Sequence, residues 1–70
     1  MKISARNVFS GTIVAMVKGP VTTEVTLEIG DGLQVVSTIT TASADSLNLK
    51  PGGHAFGIVK SSNVMIGVDD

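Results

Sequence analysis

Two short polar tracts interrupt an otherwise apolar chain: Ser4-Ala5-Arg6-Asn7 near its start and Lys60-Ser61-Ser62 near its finish. Each carries hydroxyl donors and one cation, and neither contains a carboxylate. A site made from them would be rich in donors and poor in charged acceptors. That suits a small, fully deprotonated oxyanion, which can only accept hydrogen bonds. A hydrogen bond to a charged group contributes about 1.5–3 kcal/mol. Micromolar binding needs about 8 kcal/mol, so roughly four to six such donors would suffice after the cost of ordering them. Backbone N–H groups of Ala5, Arg6 and Ser61 can join if these tracts leave the sheet ladder. The same residues also read as strand-end charges kept exposed for solubility, and composition alone leaves both readings open.

Other chemistries find less in the sequence. Hydrolysis by a nucleophile needs a Ser or Cys beside a positioned base. The single histidine, His54, follows Gly53 in a turn and reads as solvated. Glu24 and Glu28 fall on the outward face of a regular strand rather than in a cleft. Neither a phosphate-loop spacing nor a dinucleotide fingerprint is present. Nucleic-acid binding, the alternative function for a small barrel, asks for a basic groove with stacking aromatics. The chain offers only Phe9 and Phe56, both in strand patterns where a core role is expected, and no basic run.

The elements that must position these tracts are short. Seventy residues make one small domain, 1–70, with little interior. With no cysteine and one histidine, disulfides and thiolate or multi-histidine metal sites are excluded within one chain. Yet 43% of residues are hydrophobic and only 16% charged, with a mean hydropathy of +0.42. That much Val, Ile, Leu and Met exceeds what so small a monomer can bury, so a homo-oligomer is expected. Net charge is -1, which argues against an extended nucleic-acid surface but not against a small anion site. No apolar run reaches membrane-spanning length, and Met1-Lys2-Ile3-Ser4 turns polar at once. A soluble, cytoplasmic chain without membrane or nucleic-acid partners is therefore expected.

Period-two patterning dominates. Strands are predicted over 7–17, 22–29, 33–39, 54–60 and 64–68. In the second, Thr23, Val25, Leu27 and Ile29 face one way and Thr22, Glu24, Thr26 and Glu28 the other. Lys18-Gly19-Pro20 breaks the first strand, and Gly30-Asp31-Gly32 signals a hairpin. Thr40 to Leu47 predicts a helix of one to two turns, with Asp45 favouring its N-terminus. Pro51-Gly52-Gly53 is a strong turn. The fold class expected is all-β: a five-stranded OB-like Greek-key barrel with one short helix between strands 3 and 4.

Ser4-Ala5-Arg6-Asn7, Gly11, Lys18-Gly19, Glu24-Val25, Leu27-Glu28-Ile29, Ile39-Thr40, Ser43, Leu47, Leu49, Gly52, Ile58-Val59-Lys60 and Val64-Met65 together resemble the molbindin (Mop) pattern of small molybdate-binding proteins. The resemblance covers nearly the whole chain and is loosest over Ala42 to Asn48. It implies a hexamer built as a trimer of dimers, with molybdate, and possible tungstate, held at subunit interfaces. It implies a site on Ser4, Ala5, Arg6, Thr40, Lys60 and Ser61, with Ser43 a lesser candidate. A second oxyanion site would fall on Lys18, Gly19, Val21 and Thr22, where Pro20 removes one backbone donor. The implied role is storage and homeostasis, with no reaction, no catalytic residue and no catalytic cofactor.

Overall fold

The computed structural model describes residues 1–69. Four strands and one helix follow in order: β1 (Asn7–Lys18), β2 (Thr22–Gly30), β3 (Leu33–Thr40), α1 (Thr41–Ser46) and β4 (His54–Val59). A 3-10 turn, Ser61–Asn63, follows. The strands form one antiparallel sheet in the order β3-β2-β1-β4. Three consecutive strands and a fourth that returns beside the first make a Greek key. The sheet curls into an OB-like half-barrel with β3 and β4 as its two edges.

One strand serves two partners. The first half of β1 pairs with β4, from Asn7↔Val59 to Thr12↔His54. Its second half pairs with β2, from Thr12↔Glu28 to Lys18↔Thr23, with a register shift between Ile13 and Ala15. Bulges of this kind bend a strand and let it change partners. The loop before β4 fastens the bend: Ile13 N–H donates to Gly53 O (2.8 Å) and Gly52 N–H donates to Ile13 O (2.7 Å). Gly11 makes the crossing possible, because a Cβ there would stand 2.4 Å from the Glu28 carbonyl oxygen.

The alternation of β2 builds the core as its sequence predicts. Thr23, Val25 and Leu27 are buried, and Ile13 of β1 packs with the two aliphatics. Met16, Ile29, Ile39, Leu49 and Ala55 surround them, half-buried. Gly32, with φ of +73°, turns the β2–β3 hairpin. Helix α1 begins at Thr40, whose Oγ1 accepts from Ser43 N–H at 3.1 Å. It ends at Asn48, which takes the left-handed φ of 53° while Leu49 N–H returns to Ala44 O at 3.1 Å.

Three expectations are corrected. The fifth strand at 64–68 does not form: a strand exists only as part of a ladder, and this segment meets no partner in its own chain. The strand count is four. Phe9 and Phe56 are not core residues; both are exposed, and Phe56 packs edge-on against His54 with ring centroids 5.0 Å apart. Asp45 does not serve the helix N-terminus. It is the fifth of the six helical residues and pairs instead with Lys18. Among the described residues no helix is long and apolar enough to cross a membrane.

Candidate functional site

The β1–β4 ladder brings the two polar tracts together. Asn7 and Val59 are its last pair, so Arg6 and Lys60 are the next positions out, at the same end of the sheet. There the chain leaves regular structure on both sides: a bend at Ser4 and Arg6, and extended Lys60 leading into the 3-10 turn. Backbone donors of Ala5, Arg6 and Ser61 are thereby released from the ladder. Ser4, Arg6, Lys60 and Ser61 are exposed, and Ala5 is half-buried. Neither Arg6 nor Lys60 meets a carboxylate among the described residues, where Lys18–Asp45 is the one ion pair. Two cations at facing positions beyond the ladder's last pair, with no carboxylate beside them among the described residues, favour an anion as their counter-charge.

Thr40 is elsewhere. It pairs with Thr22 at the far end of β2 and β3. That is the end where β1, a strand of 12 residues from Asn7, finishes at Lys18. The single chain therefore assembles five of the six expected residues at one end and places Thr40 with the Lys18–Thr22 turn. Thr40's hydroxyl is also committed locally: it donates to Ser43 Oγ (2.7 Å) and accepts from Ser43 N–H. Because Ser43 Oγ accepts that bond, its own proton is free to be donated outward. Ser43 is thus the more available donor of the two.

The Lys18, Gly19, Val21 and Thr22 group lies in a tightly bonded turn. Lys18 Nζ donates to Asp45 Oδ1 at 2.8 Å. Gly19 N–H donates to Thr22 O (2.9 Å), and Thr41 N–H donates to Val21 O (2.8 Å). Buried Thr41 donates its Oγ1 proton to Gly19 O at 2.7 Å. A hydroxyl has one proton, so the 2.8 Å contact between Thr41 Oγ1 and buried Thr23 Oγ1 must be donated by Thr23. This chain from Thr23 through Thr41 to Gly19 satisfies every buried side-chain polar atom there.

Sequence reasoning missed one pair. Ser10 Oγ and His54 Nε2 stand 2.6 Å apart on the exposed face of the β1–β4 ladder. The signal was non-local, since the two are 44 positions apart and only the register Thr12↔His54 and Ser10↔Phe56 makes them diagonal neighbours. No second hydrogen bond orients the imidazole among the described residues. Nor do those residues include a cluster of His, Cys, Asp or Glu that could hold a metal ion.

Comparison with known proteins gives a consistent picture. Residues 3–66 match the TOBE domain. The chain is 42% identical over 69 residues to a probable molybdenum-pterin-binding protein of Haemophilus influenzae, covering 99% of this chain and 100% of that one. It is 46% identical over 69 residues to the molybdenum transport protein ModE of Herbaspirillum seropedicae, where it spans only 26% of the longer protein. Among solved structures, MopII from Clostridium pasteurianum superposes with a TM-score of 0.91 at 43% identity, covering 96% of this chain and 100% of that one. A molybdate-binding protein from Sporomusa ovata gives 0.89 at 32% identity, covering 97% and 100%.

Proposed function

Since the chain belongs to the TOBE-domain family and to its small molybdenum-pterin-binding (Mop) members, we propose that it binds molybdate. The observation that carries the reading is the convergence of Arg6 and Lys60, without a carboxylate, at the open end of the β1–β4 ladder. Molybdate is a tetrahedral dianion with four acceptor oxygens. Ser4, Ala5, Arg6, Lys60 and Ser61 supply side-chain and backbone donors that replace its water. Thr40 or Ser43 closes the cage from a neighbouring copy, because one chain holds them at its other end. Such a cage, cut for the longer metal–oxygen bond, leaves its donors too far from the smaller sulfate. Tungstate, nearly the same size as molybdate, fits as well.

No step of bond-making is needed: the protein sequesters and releases its ligand, and the proposed role is storage and homeostasis in the cytoplasm. The proposed assembly is a hexamer, a trimer of dimers, which covers the exposed apolar surface. A second oxyanion site on Lys18, Gly19, Val21 and Thr22 is part of the proposal. It requires Lys18 to exchange Asp45 for the anion.

Calorimetric titration tests the reading. Molybdate and tungstate should both bind, and sulfate in large excess should displace neither. Full competition by sulfate would mean a generic anion patch. A monomer by light scattering at micromolar concentration would overturn the interface site.

A further inference from the structure

One covalent reaction of a folded chain needs no active site. The main-chain nitrogen after an aspartate or asparagine attacks that residue's own side-chain carbonyl carbon and closes a five-membered imide. The step needs an unhindered following residue, a nitrogen not held in a hydrogen bond, and room for the peptide to rotate. Glycine meets the first need best, having no Cβ and the widest choice of φ and ψ.

Among residues 1–69 only Asp31 precedes a glycine; Asp45 precedes Ser46, Asn48 precedes Leu49 and Asn63 precedes Val64. The structure sharpens the contrast. Ser46 lies inside α1, and the Asp45 carboxylate is held by Lys18 at 2.8 Å. Leu49 N–H donates to Ala44 O (3.1 Å), and Val64 N–H donates to Ser61 O (3.3 Å). Asn7 and Val8 are both paired in the β1–β4 ladder.

Asp31 and Gly32 differ on every count. They form the hairpin tip beyond the Gly30↔Leu33 pair, and both are exposed. Among the described residues Gly32 N–H donates to no backbone carbonyl, and Asp31 forms no ion pair. A Cβ placed at Gly30 or Gly32 would meet nothing within 4 Å, so the peptide has space to turn.

We propose that Asp31-Gly32 is a self-modification site, at which Asp31 converts to isoaspartate through a cyclic imide. The Gly32 nitrogen bonds to Asp31 Cγ, and the carboxyl hydroxyl leaves with the amide proton as water. Water then adds back to the imide. Opening at Cγ restores aspartate; opening at the main-chain carbonyl leaves the chain running through Cβ and Cγ. Nothing is oxidised or reduced, and water is the only reagent. Mass and charge are unchanged, but the tip gains a main-chain atom. The closing Gly30↔Leu33 pair is strained, while the ladder inward from Glu28↔Gln34 is untouched. The proposal stands apart from the molybdate reading.

The full-length protein is aged for several weeks at neutral pH and body temperature. It is then probed with a protein-isoaspartyl carboxyl methyltransferase and a labelled methyl donor, and the label is mapped by digestion and mass spectrometry. Label should grow with age at Asp31 and stay absent from Asp45. Asp31→Glu keeps the charge at an exposed tip but cannot close a five-membered imide, so it should lose the label. Asp31→Asn reaches the same imide by losing ammonia, and should lose its amide well before Asn48 or Asn63. An aged parent without label at Asp31, equal label in Asp31→Glu, or an Asp31→Asn amide as durable as those of Asn48 and Asn63 would each overturn the proposal. The isoaspartyl form, separated by chromatography, should melt below the parent; equal melting would overturn the strain assigned to the closing pair.

Discussion

The two ends of β1 use the same kinds of residue in opposite ways. At the Lys18 end, an ammonium, two hydroxyls and several backbone groups are bonded within the chain: Lys18 to Asp45, Thr23 to Thr41, Thr41 to Gly19 and Val21. At the Asn7 end, the side chains of Arg6, Lys60 and their flanking serines have no such partners among the described residues, and the carbonyls of Lys60 and Ser61 only close the 3-10 turn. Hydroxyls and cations do not by themselves mark a binding site. What marks one is unspent donor capacity, and the difference lies in whether a carboxylate or a carbonyl has already claimed it.

Five substitutions break or sharpen this contrast. The largest effect is expected at Gly11, which belongs to neither end but holds both in register. Gly11→Ala drives a methyl into the Glu28 carbonyl, where the ideal Cβ is 2.4 Å away. A backbone oxygen cannot rotate aside, so the loss should approach about 3 kcal/mol, read as a lower urea midpoint. Next come Arg6→Ala and Lys60→Ala. Each should weaken molybdate binding by about 10- to 150-fold, the equivalent of one charge-assisted bond of about 1.5–3 kcal/mol. Both side chains are exposed, so urea stability should move by no more than about 0.5 kcal/mol. Unchanged affinity in both variants would remove them from the site.

Thr41→Val probes the bonded end with the opposite signature. It strips Thr23's hydroxyl of its acceptor and Gly19's carbonyl of a donor, and should cost about 1–2 kcal/mol of stability. Thr41 supplies no donor to the proposed cage, so molybdate affinity should fall far less than in Arg6→Ala or Lys60→Ala; an equal loss would show that the neighbouring copy's Thr40 and Ser43 depend on Thr41 to hold them in place. The smallest effect is expected at Asp45→Asn. Lys18 and Asp45 are both mostly exposed, and such pairs contribute less than about 1 kcal/mol. Melting should barely shift. Freeing Lys18 should, if anything, strengthen anion binding at the turn, and weaker binding there would contradict the second site.

Much of this arrangement is legible in local pattern. The alternation of Thr23, Val25 and Leu27 against Thr22 and Glu24 reads directly as a buried and a solvated face, and the burial follows it. Thr40 as a helix cap and Asp31-Gly32 as a hairpin are equally local, because each depends on one residue's own preferences. The misreadings turn on what lies outside the local pattern: a partner far along the chain, or which face of the sheet is inside. Asp45 looked suited to a helix start, but Lys18 reaches it from 27 positions away. Val64–Val68 has a strand's composition, but composition does not supply a neighbouring strand. Phe56 alternates correctly yet lies on the outer face, because period two says which residues share a side and not which side is inside. Within the candidate site, Arg6 and Lys60 could be grouped by type. Thr40 could be placed only once the register put it beside Thr22.

The sharing of β1 between two partners bears on how the molecule opens and closes. The β1–β2 and β2–β3 ladders join neighbours in sequence, whereas the β1–β4 ladder spans contacts such as Ser10 to His54, 44 positions apart. Loop closure over that distance is entropically the costlier event, so the meander is expected to zip first and β4 to dock afterwards. Arg6 and Lys60 become neighbours only at that final docking. An anion that bridges them acts as a latch on the last-formed ladder, and its stabilisation falls on the rate of escape from the native state rather than on the rate of reaching it.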